Sequence, residues 1–108
     1  MKATNEQLLG KLREIENILK TVEYPGMNSN IIDLGLISNL RLSNDASRLT
    51  IYMNIYRHDP VCYFCRFIAF TIISKIIKKI EEKLKDRGLK EILIIDTDTS
   101  MEIAQIIY

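Results

Sequence analysis

Leu49-Thr50-Ile51-Tyr52-Met53-Asn54-Ile55-Tyr56 alternates apolar and mixed side chains with a period of two. That spacing sends successive side chains to opposite faces of a strand. Working upstream, Leu36, Leu40 and Leu42 point one way, and Ile37, Asn39 and Arg41 the other, which predicts a second strand. Between the two, Ser43-Asn44-Asp45-Ala46-Ser47 is a short polar connection of the kind that closes an antiparallel hairpin. One face of this hairpin is apolar and the other mixed, so a small sheet with helices on one side only is expected.

Helices are expected on both sides of the hairpin in sequence. Leu8, Leu9, Leu12, Ile15, Ile18, Leu19 and Val22 recur at steps of three and four, which predicts an amphipathic helix over about residues 4–21. Thr4 and Gln7 have the spacing of a capping box, and Tyr24-Pro25-Gly26 ends the helix because Pro25 disfavours helical backbone at Tyr24. Downstream, Asp59 is a good N-cap and Pro60 fits the first helical position, where its missing amide costs nothing. The long helix they open carries an apolar stripe of Ile68, Ile72, Ile73, Ile76, Ile77, Ile80 and Leu84, and it stops at Arg87-Gly88. Ile92 to Ile95 predicts a short third strand, and Thr97 to Tyr108 one further turn or strand. The expected architecture is a two-layer α+β single domain in the order helix, strand, strand, helix, strand.

Composition narrows the function. The 108 residues are enough for one two-layer core but not for two independent ones. A net charge of +1 leaves no basic stripe, so nucleic acid is not an expected partner. Met1 to Leu19 lacks the apolar centre of a signal peptide, and the apolar run around Phe67 to Ile73 is too short for a membrane span. Two cysteines without a secretory signal fit a reducing cytoplasm, where neighbouring thiols point to metal or redox chemistry rather than to a disulfide.

The candidate chemistry gathers in two segments, Ile31-Ile32-Asp33-Leu34-Gly35-Leu36-Ile37 and Asp59-Pro60-Val61-Cys62-Tyr63-Phe64-Cys65. The first brings an acid and a glycine to the start of an expected strand. The second places Cys62 and Cys65 on one face of a helix start, where free amides and the helix dipole favour the thiolate. His58 lies just upstream and is the sole histidine. A closed zinc site within one chain needs a second ligand pair, and the sequence offers none, which leaves open a site completed by ligands shared between two subunits. Buried packing is the alternative for Cys65, a surface or junction position the alternative for His58, and capping of a turn the alternative for Asp33. Dithiol exchange of the thioredoxin type is a further alternative, although that fold needs more strands after the helix and a later proline. No nucleophile–base pair with a defined third partner and no phosphate-cradling glycine loop is present, so no turnover chemistry is expected.

With both segments placed, the chain resembles the SufT/PaaD-like family of metal–sulfur (iron–sulfur) cluster assembly domains over roughly Leu19 to Asp96. The matching features are Leu19-Lys20-Thr21-Val22 running into Tyr24-Pro25-Gly26, then Asn30-Ile31-Ile32-Asp33-Leu34-Gly35-Leu36-Ile37, then Pro60-Val61-Cys62 before the long helix. The sequence departs from the family's acids around the first proline, where it has Tyr24 and Gly26. It also has His58 ahead of Pro60, Tyr63 after Cys62, an extra Cys65, and a short C-terminal segment without tryptophan. The resemblance implies an accessory factor that builds a cluster or delivers it to client apoproteins. Its partners would be the assembly machinery and those clients, and a homodimer is also open. The cargo would be a transient iron or iron–sulfur cluster, with no stable cofactor. Asp33, Gly35 and Cys62 carry over as functional positions, Cys62 as the metal-contacting thiolate, and Cys65 and His58 stand as possible additional ligands. Two rivals remain: a pure interaction module docking through Phe64, Phe67 and Phe70, and a supporting subunit of a multicomponent oxygenase.

Overall fold

In the computed structural model the described residues are 4–54 and 63–108, with backbone alone for 63–70. Helix α1 spans Asn5–Leu19 and starts at the expected cap: the Gln7 amide donates to Thr4 Oγ1 at 3.2 Å, and the Thr4 amide to Gln7 Oε1 at 2.9 Å. Two amides that the helix itself leaves without partners are thereby satisfied. Ile15 and Leu19 on its inner stripe are fully buried.

Strands β1 (Ile37–Leu42) and β2 (Arg48–Met53) form the antiparallel hairpin. Asp45 organises its turn: Oδ1 accepts from the Ser43 and Ser47 hydroxyls at 2.6 and 2.7 Å and from the Ser47 amide at 3.1 Å. Helix α2 (Tyr63–Leu84) then carries the chain to β3 (Glu91–Asp96), which lies parallel to β2. A parallel neighbour requires such a crossover, because a tight turn can only reverse the chain. The segment after Asp96 resolves into strand β4 (Glu102–Ile107), antiparallel to β3. The sheet order is β1-β2-β3-β4, so the parallel pair occupies the centre.

The period-two pattern explains the layers. Leu49, Ile51 and Met53 of β2, Ile92 and Ile94 of β3, and Ile106 of β4 are buried in one cluster with Ile73, Ile76, Ile80 and Leu84 of α2. Ile15 and Leu19 complete it from α1, so both helices cover the same sheet face and the architecture is α+β with two layers. Burying one such side chain contributes roughly 1.5–3 kcal/mol. Among the described residues no helix is long and apolar enough to cross a membrane.

Ile31 to Gly35 form a turn that leads into β1, which begins at Ile37. One local expectation changes, the facing of β1. Its pairing shifts between Ile37 and Asn39, opposing Ile37 to Met53, Asn39 to Tyr52 and Leu40 to Ile51. One extra residue at Ser38 is a bulge, and it puts Ile37 on the same face as Leu40 and Leu42, all packed against the core. The helix expected to open at Asp59 and Pro60 is described from Tyr63 onward, and those two residues lie outside the described set.

Candidate functional site

The segment carrying Asp33 and Gly35 is a single helical turn with a cap at each end. Asn30 starts it: its Oδ1 accepts from the amides of Ile32 at 3.0 Å and Asp33 at 2.9 Å, the bonding pattern of an N-cap. Gly35 ends it in the left-handed region, with φ +75. The Leu36 amide reaches back to the Ile31 carbonyl at 3.1 Å and the Gly35 amide to the Ile32 carbonyl at 3.0 Å. These paired bonds are the Schellman closure that favours glycine. Asp33 is exposed, and its Oδ2 accepts from Asn30 Nδ2 at 2.9 Å, bracing the side chain that caps the turn. Capping of a turn, read as one alternative for Asp33, is thus performed by Asn30 with Asp33 behind it.

This turn is tied to the end of β2 by Asn54. The Asn54 amide donates to the Leu36 carbonyl at 2.7 Å, and its Nδ2 donates to the Gly35 carbonyl at 2.9 Å. Asn54 is only 8% exposed, and its Oδ1 is buried without a partner among the described residues. It is the last described residue before the segment that leads to Cys62.

At the adjoining end of β3, Asp96 opposes Met53 and is 1% exposed. Its Oδ2 accepts from the Thr99 amide at 2.9 Å and the Thr99 hydroxyl at 2.8 Å, which shapes the β3–β4 connection. Its Oδ1 is buried without a partner among the described residues. Nearby, the Ser38 hydroxyl donates to the Tyr52 carbonyl at 3.2 Å and lies 2.6 Å from the Thr97 hydroxyl. Polar groups from β1, the Asn30–Leu36 turn and the β3–β4 connection therefore collect where the two central parallel strands end. Chain reversals and crossovers free main-chain groups there, and side chains must take up their hydrogen bonds.

Of the residues singled out by sequence, Asp33 and Gly35 share the turn described above. Cys62 and His58 lie outside the described residues, and Cys65 is described only as backbone within α2. Among the described residues no group of three or more His, Cys, Asp or Glu side chains could hold a metal ion. Asn30, Asn54 and Asp96 were not singled out by sequence. Asn30 had a signal: Asn-x-x-Asp-x-Gly, from Asn30 to Gly35, is the punctuation of a short capped turn. Asn54 reads as one more position on the mixed strand face, and Asp96 as a residue just past a strand. Their burial depends on neighbours far along the chain. No family model matches the chain, and comparisons with curated proteins and with solved structures return no significant match.

Proposed function

We propose that the chain is a non-catalytic accessory factor in iron–sulfur cluster assembly or delivery, acting in the cytoplasm on client apoproteins. The observation that carries this reading is the Asn54 link. It fastens the Asp33–Gly35 turn, through hydrogen bonds of 2.7 and 2.9 Å, to the residue from which the chain departs toward Cys62. The first of the two sequence segments that resemble the SufT/PaaD-like family is thus attached to the end of β2, and the second follows along the chain outside the described residues. Iron or a cluster is cargo in this scheme. The Cys62 thiolate contacts it or a partner's thiol transiently, and an incomplete ligand set suits transfer because a closed four-ligand site would retain the metal. Gly35 supplies the left-handed residue that closes the turn, and Asp33, exposed on the same turn, is the acid available to orient the thiol. Cys65 and His58 are additional ligands of this chain's own.

The test is anaerobic expression with iron and sulfide, measuring metal content and visible absorption for the wild type and Cys62→Ser. Loss of the chromophore on substitution is the expected result. If the wild type takes up no iron, and Cys62→Ser still supports maturation of client proteins, the proposal is wrong.

A further inference from the structure

Beside the turn that Asn54 anchors, α1 and the outer edge of β1 enclose a groove of about 360 Å³, to which Ile32 of that turn and Ser38 of the bulge also contribute. The helix wall is built by Leu9, Leu12, Arg13 and Glu16, and the strand wall includes Ile37 and Leu40. The four helix residues stand at positions i, i+3, i+4 and i+7, so they form one continuous stripe. Leu9 is 52% exposed, although it belongs to the apolar pattern of the helix. Arg13 and Glu16 make no ion pair among the described residues. By contrast, Glu14 on the neighbouring face is paired with Arg87 at 3.6 Å.

Two details decide what fills this groove. The first concerns an added strand. An extended peptide would need the outward main-chain groups of β1. The Leu40 amide is already taken by its neighbour's side chain, Asn39 Oδ1, at 2.9 Å, and the bulge at Ser38 interrupts the regular edge. Such features discourage edge-to-edge pairing. The second concerns charge. One unpaired base and one unpaired acid lie three residues apart on a stripe that also bears exposed leucine. A two-fold axis crossing that stripe brings unlike charges together twice, since each copy presents both.

We infer that the groove is a self-association surface, taken up by a second copy whose α1 lies antiparallel to the first. Leu9 and Leu12 of each copy cover the apolar stripe of the other. Arg13 of each lies within about one helical turn, roughly 5.4 Å along the axis, of Glu16 of the other. The guanidinium's flexible stem spans that offset, and the strand edges stay unpaired. The inference does not depend on Cys62 or on any metal.

Sedimentation equilibrium and light scattering over a concentration series test it, with circular dichroism confirming that each variant is folded. The wild type is expected to dimerise reversibly. Leu9→Glu removes an exposed side chain and is expected to give a monomer. Arg13→Glu is expected to weaken association by about tenfold, through two lost pairs and two new like-charge contacts. The exchange Arg13→Glu/Glu16→Arg is expected to restore it, because reciprocal pairing survives the swap. A wild type that stays monomeric at concentrations approaching about 1 mM overturns the inference. So does a dimer indifferent to Leu9→Glu, or one that the charge swap fails to rescue. Binding of an extended apolar peptide at Asn39 and Leu40 by the monomer would assign the groove to a different occupant.

Discussion

The same substitution, glycine to alanine, is expected to change stability in opposite directions at positions 10 and 35. At neither site does an added Cβ meet any atom within 4 Å, so packing is not involved and backbone conformation decides. Gly10 lies inside α1, where alanine is favoured over glycine by about 1 kcal/mol. Gly35 has φ +75, where an L side chain costs roughly 1–2 kcal/mol. Alanine also restricts the unfolded chain, which returns about 0.4–1 kcal/mol. The net loss at 35 is therefore about 1 kcal/mol, similar in size to the gain at 10. For a domain of this length 1 kcal/mol moves the melting temperature by about 4 °C or somewhat more. Gly35→Asn is expected to lose less than Gly35→Ala, since asparagine tolerates the left-handed region better. Urea and thermal unfolding followed by circular dichroism measure all three variants. If Gly10→Ala and Gly35→Ala shift stability with the same sign, the assignment of Gly35 as the left-handed end of the turn is wrong.

Two titrations give predictions at opposite ends of the pH scale. Tyr108 has its phenol pushed up to about 12, first by burial and second by the nearby Glu81 charge, and its hydroxyl donates to the Glu81 carbonyl at 2.7 Å. A raised folded pKa gives stability that is complete below the ordinary tyrosine value and is lost as pH rises toward 12. Tyr108→Phe should flatten the decline of stability between about pH 10 and 12, and an unchanged alkaline slope would refute that role. Asp45 is held well below the usual carboxylate range by its hydrogen bonds, the Ser43 hydroxyl first and then the Ser47 hydroxyl and amide. Its contribution is present above the ordinary value and is lost as pH falls below it, so Asp45→Asn should make stability less sensitive to acid between about pH 4 and 2.

Sequence carried the fold further than it carried the site, for a physical reason. Periodicity reports which face of an element is buried, and it located α1, the hairpin, the long helix and β3 because each has a clean period of 3.6 or two. β4 was open between turn and strand, since Met101 and Ile107 are apolar yet exposed and blur the alternation. The bulge at Ser38 inverted the facing of Ile37, and nothing local marks it: the register is set by Met53 and Tyr52 across the ladder. At the site, Gly35 was legible as a special backbone position because conformational freedom belongs to the residue itself. Asn54 and Asp96 were not, because a polar side chain's burial depends on the chain around it. Asn54 is enclosed partly by the turn ending at Gly35, nineteen residues upstream.

Those two residues sharpen what the end of the central strands is for. Burying a polar atom without a partner costs about 1–3 kcal/mol, so Asn54 Oδ1 and Asp96 Oδ1 together weigh against stability among the described residues. Leucine or valine at either place would continue the apolar strands without that cost. What apolar residues could not do is fix the exits. Asn54 holds the Gly35 carbonyl, and Asp96 holds both donors of Thr99 while its own amide binds the Met101 carbonyl at 2.9 Å. Each thereby anchors a loop to a strand end at a defined position, one on the β1 side of the parallel pair and one on the β4 side. The core needs no such anchors, because the interlocked rows from Leu49 to Met53 and from Ile92 to Ile94 already set the register. The polar groups lie just past the last apolar pair, and their geometry fixes loop position. That is the arrangement expected where position matters more than the last increment of stability.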